Sequence, residues 1–303
     1  MVARVRCVRG DAEARAVPPS VSPCAGRLVG RIPCYKDHMA RLVEFTTGLW
    51  LDGLGDDLSH EVQTLAHFLP QGVLDAVLAL AMFEQSCQMS WDSGHESWER
   101  DRQLERAREE ELLAADPRDF GSPDYFEWRG RISEQARGDV VRQKWDTGEL
   151  PRELQHRLPF LHAETFVTAL ARVRRTLQVL CDTGVDTTGE IARACADFDA
   201  GVPALKAVRD SVEHAEDRMR GRNRKGQMLT LAPVTNSAIH APGGGALIGG
   251  ILNDNRFGWT VDDGTYQEVE VSDATVEAAR TAVQAALDAL PWKPGRTRQI
   301  PAS

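Results

Sequence analysis

The sequence predicts a mainly α protein, a multi-helix bundle carrying a small β-hairpin insertion and a C-terminal helix. Two observations point there. Apolar residues recur at alternating steps of three and four over 163–180 and again over 205–219, the spacing that lines one face of a helix. Glycine runs and β-prone pieces are confined to 222–271, after which an amphipathic pattern returns.

Each element follows in order. Residues 1–38 hold Pro18-Pro19, Pro23 and Pro33, scattered arginines and no sustained periodicity, and read as a disordered or weakly ordered tail. The pattern becomes regular only after Met39, which makes Met39 a candidate translation start. Ser59 offers an N-cap, and Pro70-Gln71-Gly72 is expected to interrupt the helix before a second apolar run over 73–89. Residues 96–115 are dense in both charge signs, as in a solvated helix with i,i+4 pairs. A loop from Asp116-Pro117 to Pro123 precedes a helix over 124–146, which Gly148 and Pro151 end. The next seam is Ala163, Phe166, Leu170, Val173, Leu177 and Leu180, closed by Asp182-Thr183-Gly184, with a shorter helix at 187–199. Pro203 suits the first turn of one helix with seam Leu205, Val208, Val212, Ala215 and Met219, stopped by Gly221.

Beyond Gly221, residues 257–261 and 265–271 flank Asp262-Asp263-Gly264 and read as a β-hairpin. The last helix uses Val276, Ala279, Val283, Ala286, Leu287 and Leu290 and stops before Pro291; the tail past Pro294 is expected to fray. The domain organisation is therefore a tail (1–38), a helical bundle (39–221), a hairpin plus helix packed on it (222–292) and a flexible end (293–303).

Composition narrows the function classes. With 303 residues, 42% hydrophobic and 27% charged, the chain can bury a sizeable core in one or two domains. No run approaches ~18 consecutive apolar residues and no apolar secretory core follows the N-terminus, so a cytoplasmic protein without a membrane span is expected. The formal net charge of −9 repels nucleic acid except at a local basic patch. Arginine supplies 31 of the 36 basic residues, a bias that fits a GC-rich bacterial genome. The six cysteines form no C-x-x-C pair and read as reduced thiols. Glu153-x-x-His156 lacks the second copy a di-iron bundle needs, and the glycine runs at 243–250 open no phosphate-binding helix. No metal and no cofactor is expected. Trp91, Trp98, Trp128 and Trp145 read as core or interface anchors.

One pattern suggests chemistry. Arg209 stands five residues before His214, with the polar Asp210 directly after the arginine. Spacing alone is uninformative: with four to six residues allowed between the two, roughly two to three matches arise by chance, and Arg31…His38 and Arg157…His162 also fit. Only Arg209 and His214 share a predicted amphipathic helix. At about 100° per residue Arg209 falls on the flank of its seam and His214 on the far side. Asp210 and His214 are one turn apart, so the carboxylate could orient the imidazole, while Arg209 faces Glu213. Downstream, Arg218, Arg220, Arg222, Arg224 and Lys225 form a local basic cluster on an acidic chain. Basic residues also complement the dipole at a helix C-terminus.

This motif, late in a helical bundle, resembles the HEPN superfamily, whose members are helical, often dimeric, and include metal-independent ribonucleases of toxin or defence systems as well as inactive binding modules. The resemblance covers roughly residues 150–220; the C-terminal hairpin lies outside the basic HEPN bundle. It implies that His214 transfers a proton, Arg209 stabilises phosphate and Asp210 orients the histidine, with Arg218, Arg220, Arg222, Arg224 and Lys225 tracking RNA. It also implies a homodimer, whose two-fold groove would close over Arg209 and His214, and a cognate antitoxin protein as partner. The alternative from the residues alone is a non-enzymatic helical interaction protein whose charged helix is solvated.

Overall fold

The computed structural model describes residues 43–92, 94–295 and 297–300 and is mainly α. The tail at 1–38, Met39, Cys7, Cys24, Cys34, the Arg31…His38 match and the Trp91 side chain lie outside the described residues. The chain forms two compact units, one made of residues up to Ala81 and from Ala163 on, the other Met82–His162. This division differs from the single bundle expected over 39–221.

In the first unit, β1 (Phe45–Gly48) precedes α1 (Asp56–Asp92), whose residues up to Ala81 belong to this unit and which continues through Pro70. The expected interruption at Pro70-Gln71-Gly72 is absent. A mid-helix proline costs about 3 kcal/mol, but Val62, Leu69, Val73 and Ala76 form one fully buried stripe across it. Burying each large apolar side chain returns roughly 1.5–3 kcal/mol. Gly72 does not break the helix either: a Cβ there would stand 2.7 Å from Val173 Cγ2, so the glycine permits close approach to α5 (Leu158–Asp182). By length and composition Asp56–Gln88 would also suffice to cross a bilayer, yet 44% of its apolar window is buried within the protein.

All six expected seam residues of α5 are buried. Helix α6 (Glu190–Gly201) buries Ile191, Ala194, Cys195 and Phe198 and packs against α9 (Asp273–Asp288). Ser272 caps α9, accepting a hydrogen bond from the Thr275 N–H. The expected hairpin forms as β5 (Arg256–Thr260) and β6 (Tyr266–Glu270), with Phe257 opposite Val269 and Trp259 opposite Gln267. A third strand, β4 (Ile251–Asn253), was not foreseen; it emerges from the glycine-rich run and pairs with β5. A small ladder joins β2 (Val234–Thr235) and β3 (His240–Ala241). Over its described residues the tail past Pro294 does not fray as expected: β7 (Thr297–Ile300) pairs antiparallel with β1, Phe45 opposite Ile300. The far side of β1 is tied to α9, where the Gln284 amide both accepts from the Thr46 N–H and donates to its carbonyl.

The second unit is built on a helical hairpin of α2 (Gly94–Ala115) and α3 (Tyr125–Asp146), followed by the short α4 (Arg152–Gln155). Helix α3 turns Trp128, Ile132, Ala136, Val140 and Lys144 inward at i,i+4 spacing. Burial pulls the Lys144 ammonium down, but Asp101 at 2.5 Å and Glu149 at 3.2 Å outweigh it and hold its pKa above the usual range. Glu153, of the E-x-x-H pattern, is occupied by Arg137 at 2.7 Å.

Candidate functional site

The predicted motif helix is two helices. Helix α7 (Leu205–Glu213) ends where His214 takes φ −115° and ψ 39°, and α8 (Ala215–Met219) starts anew. The seam therefore fails beyond Val208. Val212 and Ala215 are half-buried, Met219 is 59% exposed, and Ser211 and Arg218 are buried in their place. The Ser211 hydroxyl is satisfied by the Ala207 carbonyl at 2.9 Å. Helix α7 packs on β5 and β6.

The charges of the motif close on one another. Arg209 gives Nη1 to Asp210 Oδ1 at 3.1 Å and Nη2 to Glu213 Oε1 at 2.5 Å. The other oxygen of Asp210 takes the Arg224 guanidinium. Asp210 thus bridges two arginines and does not orient His214, contrary to the i,i+4 expectation, because His214 has left the helical path. Its backbone N–H still reaches the Asp210 carbonyl at 3.2 Å. The His214 imidazole is exposed and has no hydrogen-bond partner among the described residues.

Arg218, which the HEPN resemblance would place against RNA, is only 1% exposed and turns into the protein. Its Nη2 reaches Asp262 Oδ1 at 2.5 Å and its Nη1 the Arg222 carbonyl at 2.5 Å. Asp262 Oδ1 also accepts from the Arg224 backbone N–H at 2.8 Å. This carboxylate in the hairpin turn holds α8 and the 222–226 loop to the sheet. Sequence reasoning treated Asp262 only as a turn residue; a buried arginine leaves no local signal of the acid it will meet. Of the rest of the basic cluster, Arg222 donates to the Gly226 carbonyl at 2.6 Å and Arg220 stands 4.0 Å from Asp217. Arg220 and Lys225 are solvent-exposed.

A second surface lies in the α2–α3 hairpin. Phe120, in the connecting loop, and Phe126, in the first turn of α3, are each 74% exposed. Each touches neighbouring rings. Phe120 meets Tyr125 edge-on with ring centroids 5.2 Å apart and Phe126 at 5.9 Å, and Tyr125 in turn rests 5.6 Å from Trp128. Trp128 is anchored by its Nε1 to Asp116 Oδ2 at 3.0 Å and covered by the Arg118 guanidinium at 5.5 Å. Arg118 is in turn paired with Asp124. Of the expected tryptophan anchors, Trp128 is buried, whereas Trp98 and Trp145 are exposed. Two phenylalanines flanking a Gly-Ser-Pro-Asp turn were the available signal for this surface, since such turns are otherwise polar.

Comparison with known protein families, characterised proteins and solved structures finds no match.

Proposed function

We propose that the protein acts by binding a protein partner through the aromatic tip of the α2–α3 hairpin, as a non-enzymatic helical interaction protein. The observation that carries this is the pair Phe120 and Phe126, each 74% exposed and packed edge-to-face on one another. Large aromatics presented on a rigid base are the groups that dominate protein–protein binding energies, because little side-chain entropy remains to be lost. The ion pairs of the Arg209 region support the same reading, since an arginine already held by two carboxylates is a poor phosphate ligand.

Metal-independent RNA cleavage by a HEPN-like dimer is the alternative, favoured by one observation: the His214 imidazole stands exposed and unbonded at a helix junction, one turn after Arg209. In that case His214 moves the proton and Arg209 exchanges Glu213 for phosphate.

One experiment separates them. Full-length wild-type protein and the double variant Phe120→Ser/Phe126→Ser serve as baits in lysate of the source cell. In parallel, wild type and His214→Ala are incubated with RNA in EDTA. A stoichiometric protein retained by wild type and lost with the double variant is the expected result; equal retention by both baits overturns the tip assignment. Cleavage in EDTA that disappears in His214→Ala would instead establish the ribonuclease.

A further inference from the structure

The second unit contains a cavity of about 710 Å³ between α2, α3 and the start of α4, the size of a small-molecule site. Its walls carry five cations and five carboxylates, and most of these are spent on one another. Lys144 holds Asp101 at 2.5 Å and Arg137 holds Glu153 at 2.7 Å. Arg102 stands 3.7 Å from Glu105, and Glu109 is taken by Arg129 at 3.4 Å.

Three charges remain. Arg106 on α2, Arg152 at the start of α4 and Glu134 on α3 make no ion pair and no side-chain hydrogen bond among the described residues. The Ser133 hydroxyl, which also lines the cavity, is free in the same sense. Arg137, one turn after Glu134, links the walls. It is hydrogen-bonded to Glu153, beside Arg152, and Glu105, beside Arg106, helps Glu153 hold its pKa above the usual range. The two free arginines therefore flank one point on α3. One turn before Glu134, Gly130 leaves the wall bare: a Cβ there would meet nothing within 4 Å.

That remainder selects the ligand. Two guanidiniums against one carboxylate leave it positive, and an arginine fork takes phosphate oxygens through paired N–H···O bonds. Glu134 can only accept, so it repels a bare anion and suits a ligand whose hydroxyl groups donate. Walls this polar give no return for burying an apolar molecule. We propose that the cavity binds a phosphate monoester of a polyol, a sugar phosphate or a nucleotide, with Arg106 and Arg152 on the phosphate and Glu134 and Ser133 on the hydroxyls. The site is independent of the aromatic tip.

Calorimetric titration of the full chain with ribose 5-phosphate, adenosine 5′-monophosphate and inorganic phosphate tests this. Both esters are expected to saturate with Kd below about 1 mM, and inorganic phosphate to bind about tenfold more weakly or not at all. Tighter binding of the nucleotide than of the sugar phosphate would put its base on Trp98, the 40% exposed ring of the same wall; equal affinity would name the sugar phosphate as the unit recognised. Arg106→Gln and Arg152→Gln should each weaken both esters by about tenfold, with the helical circular dichroism unchanged. Glu134→Gln should narrow the gap between ester and inorganic phosphate, and Arg220→Gln, on an exposed residue of the first unit, should change nothing. No saturation by either ester, equal affinity for esters and inorganic phosphate (an adventitious ion only), or ester binding that survives both arginine substitutions each overturn the proposal.

Discussion

From Ala163 on, helix α5 lies in the same unit as the α7–α8 pair and carries the same three-four apolar spacing, yet only α5 keeps its stripe in the core throughout. Along α5 each seam residue from Ala163 to Leu180 is buried. Along α7–α8 burial passes from Leu205 and Val208 to Ser211 and Arg218, while Met219 points to water. The difference lies in what each helix meets. Helix α5 brings Val173 against Gly72 of α1 and keeps its stripe buried, so the apolar stripe fixes its rotation. Helix α8 meets a hairpin turn that presents Asp262, and one charge-assisted hydrogen bond there outweighs burial of a methionine. A short helix takes its rotation from its strongest partner, even where its own hydrophobicity points elsewhere.

The largest expected break in this contrast is Leu170→Ala in α5, which should cost about 2–5 kcal/mol in chemical denaturation, against within about 0.5 kcal/mol for Met219→Ala. Equal losses would mean that the two seams are equivalent after all. Next comes Arg218→Met, which removes the partner of a half-exposed Asp262 and should cost about 1–3 kcal/mol; a variant as stable as wild type would show that the clasp is dispensable. Gly72→Ala places a methyl against Val173, and overpacking of about 1–3 kcal/mol should exceed the gain in helix propensity of about 1 kcal/mol. Stabilisation instead would show that α1 and α5 can separate at little cost.

The smallest effect concerns the hairpin turn and pH. The Asp263 carboxyl is held below its usual range because Thr265 donates to it from its hydroxyl at 2.6 Å and its N–H at 2.9 Å. Its contribution is therefore complete above about pH 4, the unfolded value, and is lost as the pH falls through the lower folded value. Asp263→Asn should flatten the acid limb of the stability–pH curve below that point. An unchanged limb would place the acid sensitivity in other carboxylates.

How far the sequence carried follows the same division. The α3 and α5 helices, the β5–β6 hairpin and the α9 helix were legible because their periodicity and turn residues are local. Pro70 misled because its cost is local while the stripe that overrides it is assembled from neighbours. β4 and β7 were missed because a short strand is defined by its partner, and β1 and β7 stand at opposite ends of the chain. At the candidate site, Arg209 and its i+4 partner Glu213 were foreseen. The Asp210–Arg224 and Arg218–Asp262 pairs were not, since each depends on where a distant loop returns.

The β1–β7 pairing also sets an order of events during synthesis. Phe45 emerges from the ribosome long before Ile300, its opposite residue in the ladder. The helical hairpin of the second unit is complete long before that and has no need to wait. A nascent chain should therefore present the aromatic tip, already folded, while the first strand still has an open edge.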